Sequence, residues 1–145
     1  TRAIRSARLF QAVGNMLPLK VYRRPIKRRI RLARPEDKAV VVEIANVAFA
    51  PKDRTIWIQG AFGRSDRTIY VLEEYGKIEG FVIVRPEGTD LRIDLIGTWK
   101  PLGGICRDLM EHVERASSQE FSEVVAGTHH DNRAAHAFYD ALGFK

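Results

Sequence analysis

Asn132-Arg133-Ala134-Ala135-His136-Ala137-Phe138-Tyr139-Asp140-Ala141-Leu142-Gly143-Phe144, near the C-terminal end of the sequence, decides how the rest of the chain is read. The spacing predicts a helix over Asn132–Leu142, with Gly143 at the C′ position where a left-handed residue ends a helix. Asn132, Ala135 and Tyr139 are three and four residues apart and share one face. The small Ala135 between an amide and a phenol leaves a groove for a ligand. Ala134, Phe138, Ala141 and Leu142 form the neighbouring face, assigned to the core. From spacing alone the plainer reading of Tyr139 is favoured, a half-buried ring with its hydroxyl in water.

Working upstream, Glu123–Thr128 reads as a strand. Before it lies Ile96-Gly97-Thr98-Trp99-Lys100-Pro101-Leu102-Gly103-Gly104-Ile105-Cys106-Arg107, a strand end, a glycine-containing loop and a helix start. Ile105, Leu109, Met110, Val113 and Ala116 give that helix its apolar face. Open backbone N–H groups and the helix dipole at such a junction favour an anion, and small residues let the backbone approach a phosphate. Alone this signal is weak, because a glycine pair before a helix is more often a plain turn. A P-loop is excluded, because no Gly-Lys-Ser/Thr follows.

Further upstream, Thr68–Glu74, Ile78–Arg85 and Leu91–Thr98 read as an antiparallel meander, with turns at Tyr75-Gly76-Lys77 and Pro86-Glu87-Gly88. Arg29–Ala33 alternates as a half-buried strand does. Pro35-Glu36-Asp37 opens a helix with stripe Val40, Val41, Ile44, Ala45 and Ala48, which Pro51 ends. Residues 54–62 predict a second short helix carrying Trp57. The order is strand, two helices, three strands, helix, strand, helix. It predicts an α/β sandwich with a mixed, mostly antiparallel sheet flanked by helices.

The 145 residues suit one domain. A hydrophobic share of 45% is ordinary for a globular chain. No apolar run reaches the ~20 residues that span a bilayer. The single cysteine, Cys106, cannot form a disulfide within the chain and agrees with a cytoplasmic setting. The net charge of +6 is uneven, for residues 1–35 hold 11 Lys/Arg and no acid. Residues 1–28 are therefore read as a basic N-terminal extension or the remnant of an upstream segment, and residues 29–145 as the folded unit. Arg5–Val13 predicts a short helix and Lys20–Tyr22 an extended stretch. The arm lacks interleaved aromatics, so a solvated flank is favoured over nucleic-acid binding.

The Asn132–Phe144 segment resembles the Asn-x-x-Ala-x-x-x-Tyr-x-x-x-Gly-Phe pattern of the GNAT N-acetyltransferases. Gly104-Ile105-Cys106-Arg107-Asp108-Leu109-Met110 is similar to the family's pyrophosphate loop and helix. Gly80-Phe81-Val82 and Arg92-Ile93-Asp94-Leu95-Ile96 are similar to its central strands. The resemblance implies acetyl-CoA as cosubstrate, no metal, and a primary amine on a small molecule as acceptor. It implies that backbone groups of Ile96 and Thr98 meet the pantetheine arm and that N–H groups of Gly103, Gly104, Ile105, Cys106 and Arg107 meet the pyrophosphate. Asn132 and Ala135 would lie beside the cofactor arm, and Tyr139 falls on the general acid that protonates the leaving thiolate. An ordinary phenol, with pKa about 10, is protonated at neutral pH and able to donate. A base for the amine is expected among Asp94, His129, His130 and Glu79, with Asp94 the first candidate.

Two positions depart from the family pattern: Pro101 and Cys106 stand at the ends of its loop signature. The loop between Thr98 and Gly104 is about two residues shorter than is common in the family. The strand the family carries after Gly143-Phe144 is not in the sequence, so the expectation is a longer chain, or a partner, a homodimer included, that completes the sheet. Arg92–Gly97, the short loop and Val125–His129 are most similar to the dTDP-fucosamine (dTDP-4-amino-4,6-dideoxygalactose) acetyltransferase group. Arg54, Arg64 and Arg67 could then bind a sugar-nucleotide diphosphate, although solvated surface arginines are the commoner case. Two alternatives stay open: a non-catalytic GNAT-like module with a basic arm, and a protein or peptide N-acetyltransferase. The adjacent His129 and His130 would point to opposite faces of a strand, which does not make a metal site.

Overall fold

The computed structural model describes residues 18–24, 27–101, 103–128, 130 and 132–145. The Arg5–Val13 helix lies outside the described residues. Lys20–Tyr22 is exposed and forms no strand.

Among the described residues, five strands form one sheet in sequence order: β1 (Arg28–Leu32), β2 (Thr68–Glu74), β3 (Lys77–Glu87), β4 (Asp90–Thr98) and β5 (Val124–Ala126). The first four pair antiparallel; β5 runs parallel to β4 after a helical crossover. The described residues also form four α-helices: α1 (Lys38–Ala48), α2 (Thr55–Phe62), α3 (Ile105–Ser117) and α4 (Arg133–Ala141). The mixed α/β sandwich expected from the element order is the observed architecture.

Alternation along the strands builds two cores. Ile69, Val71, Phe81, Ile83 and Leu95 pack with Val41, Ile44, Ala45, Ile58 and Ala61 of α1 and α2. Leu72, Val82, Val84, Leu91, Ile93 and Ile96 pack with Ile105, Leu109, Met110 and Val113 of α3. The β2–β3 hairpin closes on Tyr75 and Gly76, both at positive φ (51° and 83°), as a two-residue turn matched to strand twist requires.

Several boundaries differ from the sequence expectation. β3 runs through Pro86 to Glu87 instead of turning at Pro86. Beyond the Thr68–Val84 pair β3 has, among the described residues, no strand beside it but β4, so the missing N–H of Pro86 costs no ladder bond. β5 spans only Val124–Ala126 because its pairing with β4 ends at Ile93–Ala126. In edge strand β1, Leu32 is 60% exposed while Arg31 turns inward. The Arg31 guanidinium reaches both oxygens of the buried Asp37 (2.7 and 3.1 Å) and Glu73 (2.7 Å). Ala48 of α1 and Ala116 of α3 are exposed, as are Ala134 and Ala141 of α4, which were assigned to the core. From α4 and the residues just after it, Phe138, Leu142 and Phe144 pack against the second core.

Candidate active site

The split between β4 and β5 is prepared by a bulge. Ile83 faces Leu95 and Val84 faces Ile93, so Asp94 is an extra residue in β4. An extra residue reverses the alternation of a strand. Before the bulge the Leu91 N–H donates to Glu123 of the β5 arm (2.9 Å); after it the Trp99 N–H donates to Glu79 on the β3 side (3.2 Å). Counting back from Trp99, the backbone groups of Ile96 and Thr98 face away from β3, into the gap that opens beyond Ile93–Ala126.

That gap widens into a cleft of about 890 Å³. Asp94, Ile96 and Thr98 from β4, Cys106 from α3, and Asn132, Ala135 and Tyr139 from α4 all line it. The i, i+3, i+7 spacing read in the sequence thus sets the cap residue Asn132 and two α4 residues, Ala135 and Tyr139, against one wall of the cleft. Asn132 also caps α4, its Oδ1 accepting from the Ala135 N–H (3.1 Å). Tyr139 is held between two rings, Phe138 at 5.1 Å and Phe144 at 5.2 Å, both edge-on. Burial raises its phenol above the ordinary value, the nearby Cys106 thiol adds to this and Arg92 opposes it. The phenol therefore stays protonated through neutral pH. Burial likewise pushes the Cys106 thiol up to about 11, which makes it a neutral packing group and not a nucleophile.

The α3 start adjoins the cleft at Pro101 and Cys106. Gly103, Gly104 and Arg107 are exposed, whereas the Ile105 side chain is 1% exposed and packed in the core. Gly104 sits at φ 70°, a left-handed conformation that suits glycine, and turns the chain into α3. The Asp108 N–H donates to the Gly104 carbonyl (3.0 Å); N–H groups ahead of such a bond are those a helix start leaves open. Arg28 of β1 braces this corner, donating to Asp108 (2.7 Å), Glu74 (3.0 Å) and the Gly103 carbonyl (3.0 Å). It neutralises an acid that would otherwise oppose an anion at the α3 start. Ile105 packs so closely on β3 that a Cβ at Gly80 would lie 2.5 Å from its Cγ2.

The expected bases separate. Both oxygens of Asp94 are occupied by cations. Arg85 Nε donates to Oδ1 (2.9 Å), and Arg67 Nε lies 2.7 Å from Oδ2 as an ionic contact not aligned as a hydrogen bond. Glu79 sits beside Lys100 (3.8 Å) and is not part of the cleft wall. The His130 carbonyl accepts from His136 Nε2 (3.1 Å), and His129 lies outside the described residues. The sequence reading missed Lys52, Trp57, Arg85 and Arg92 in the cleft wall. It paired Arg54 with Arg64 and Arg67, but Arg54 alone of these three lines the cleft. Arg64 is tied to Asp66 (3.0 Å), and Arg67 to Asp66 (2.8 Å) and Asp94. A helix–Pro–helix break with Lys52 and Arg54 around it was the available signal.

The cleft suits an extended, mostly apolar chain ending in an anion: a strand edge with open backbone groups, a small-residue helix face and a helix start in line. Among the described residues no group of three or more His, Cys, Asp or Glu is placed to hold a metal. The description "Acetyltransferase (GNAT) family" matches residues 33–144. No curated protein matches the chain. Among solved structures, ribosomal-protein-S18-alanine N-acetyltransferase from Escherichia coli superposes with a TM-score of 0.70 at 20% identity, covering 81% of this chain and 77% of that one. An aminoglycoside 6'-N-acetyltransferase from Acinetobacter haemolyticus gives 0.69 at 13% identity, covering 81% and 90%. AAC(6')-Iy, in complex with a bisubstrate analogue built on CoA, gives 0.65 at 14% identity with the same coverage. At these identities the likeness is one of fold. The match over residues 33–144 carries the assignment: the chain belongs to the acetyltransferase (GNAT) family and is an acetyl-CoA-dependent N-acetyltransferase.

Proposed function

We propose that the cleft moves the acetyl group of acetyl-CoA to a primary amine by direct attack, with Tyr139 as general acid and an amino-sugar nucleotide as acceptor. The observation that carries the transfer chemistry is the meeting of the turned β4 edge, the α3 start and the Tyr139 phenol in one cleft. When bound, acetyl-CoA supplies an activated thioester carbonyl. Backbone groups of Ile96 and Thr98 hold the pantetheine arm, and Asn132 and Ala135 form the wall beside it. N–H groups from Gly103 to Arg107 hold the pyrophosphate, aided by the helix dipole. A neutral amine forms the new C–N bond as the C–S bond breaks, and the leaving sulfur takes the Tyr139 proton. A β4 N–H stabilises the carbonyl oxygen during attack. The amine gives its surplus proton to water in the cleft, since Arg67 and Arg85 occupy Asp94. Tyr139 is then reprotonated from solvent.

The sugar-nucleotide acceptor is supported by the cationic groups on the cleft wall. A continuous assay of thiol release from acetyl-CoA against a panel of free amines tests the reaction. Amine-dependent release with recovery of the N-acetylated product is expected. Release that ignores the amine would leave only a hydrolase.

A further inference from the structure

The charges around the cleft are unequal. Lys52, Arg54, Arg85 and Arg92 line it, against Asp94 as the one described acid in its wall. Asp94 is already held by Arg67 and Arg85. Arg92 pairs with Glu87 (3.2 Å). Lys52 and Arg54 remain, and neither has a carboxylate partner among the described residues. The nearest acid in sequence, Asp53, is engaged elsewhere, its Oδ1 accepting from the Thr55 N–H (2.9 Å) at the start of α2.

Arg54 is also positioned. Its backbone N–H donates to Asn46 Oδ1 (2.6 Å), and the Asn46 amide donates to Thr55 Oγ1 (3.0 Å), so α1 fixes the entry to α2. Its guanidinium carbon lies 5.3 Å from the centre of the Phe49 ring, and its Nε is buried with no hydrogen-bond partner among the described residues. A guanidinium set over a ring, with no acid on it, presents its outer N–H groups as a fork for an oxyanion. Trp57, 37% exposed, lies on the same wall and offers a flat surface to a base or sugar.

Building on the acetyl-CoA reading of this cleft, we propose that Lys52, Arg54 and Trp57 form the acceptor subsite and select an amine that carries its own phosphate or diphosphate next to a planar group. A polycationic acceptor meets like charge here and is disfavoured. The phosphate is chosen over acidic peptide side chains because the fork lies beside an aromatic face.

The test is a pair of calorimetric titrations on the full chain. The first adds CoA and fills the cofactor site. The second, at saturating CoA, adds uridine diphosphate, with uridine and a tetraglutamate peptide run in parallel. Uridine diphosphate is expected to bind the CoA-loaded protein and uridine to bind at least ~10-fold more weakly, because uridine lacks the oxyanions that the cations would hold. Arg54→Gln and Lys52→Ala should each weaken uridine diphosphate several-fold and leave CoA binding in place. Trp57→Ala should weaken uridine diphosphate more than pyrophosphate. CoA binding in each variant serves as the check that it has folded. If CoA fails to bind the wild type, the cofactor reading falls and the subsite with it. If CoA binds but uridine diphosphate does not, or binds Arg54→Gln equally well, the subsite alone is overturned. Preferential binding of the glutamate peptide also overturns it, in favour of a peptide acceptor.

Discussion

Gly80→Ala joins the fold to the cofactor site in one substitution. A Cβ at position 80 would lie 2.5 Å from Ile105 Cγ2, 3.0 Å from the Gly97 carbonyl oxygen and 3.4 Å from Leu109 Cδ1. Carbon atoms in contact sit about 3.5–4 Å apart, so α3 must retreat from the sheet by roughly 1 Å at its first residue. Overpacking of this kind costs about 1–3 kcal/mol. The retreat moves the N–H groups at the α3 start, and a displacement of ~1 Å in a positioned site can cost up to 10²-fold. Urea unfolding should show the stability loss, and acetyl-CoA titration should show binding weakened ~10-fold or more. Ile105→Ala removes the obstructing methyl, at its own cost of about 2–5 kcal/mol as a buried truncation. The double variant Gly80→Ala/Ile105→Ala should therefore lose less than the two single losses added together. Wild-type stability and binding in Gly80→Ala would refute the close packing of α3 on β3, and strict additivity would place the clash elsewhere.

Three other outcomes follow from the same contacts. Tyr139→Phe keeps both ring contacts and loses the proton donor; turnover should fall ~10²-fold or more while acetyl-CoA affinity stays within a few-fold. The raised phenol also predicts that wild-type turnover declines only above pH ~10, a limb absent from the variant. Arg28→Ala frees Asp108 and the Gly103 carbonyl; KM for acetyl-CoA should rise roughly 3–10-fold with kcat little changed, as steady-state kinetics would show. Asp37→Asn removes a carboxylate from under Arg31 and should destabilise by about 3 kcal/mol at neutral pH. The Arg31 hydrogen bond lowers the Asp37 pKa, so this contribution is full above the ordinary value of about 4 and is lost as pH falls through the depressed folded value. The gap between wild type and variant in thermal melts should therefore be flat above about pH 5 and narrow in acid.

Much of the scaffold was legible because it rests on period and punctuation. The meander followed from alternation and from Tyr75-Gly76, and α3 from Ile105, Leu109, Met110 and Val113 at helical spacing. On the cleft wall, Asn132, Ala135 and Tyr139 belong to one helix and its cap, so spacing sufficed to group them. The cations opposite them do not share an element. Lys52 and Arg54 come from the α1–α2 connection, Arg85 from β3 and Arg92 from β4, and only the folded sheet gathers them. Pairing was equally hidden. Nothing in the sequence distinguishes Arg67, which meets Asp94 across the sheet, from Arg54, which has no acid partner among the described residues. The Asp94 bulge is likewise invisible to a period-two reading, yet it turns Ile96 and Thr98 toward the cleft. The inward Arg31 and outward Leu32 defeat a hydrophobicity rule because β1 is an edge strand whose charge is satisfied by Asp37 and Glu73.

Calorimetric titration of the full chain with acetyl-CoA asks directly whether the cleft holds the cofactor. One site per chain with micromolar affinity is expected, lost when Ala135→Trp fills the wall beside the cofactor arm while circular dichroism stays unchanged. No heat of binding at protein concentrations of hundreds of micromolar, or binding that Ala135→Trp leaves intact, would contradict it.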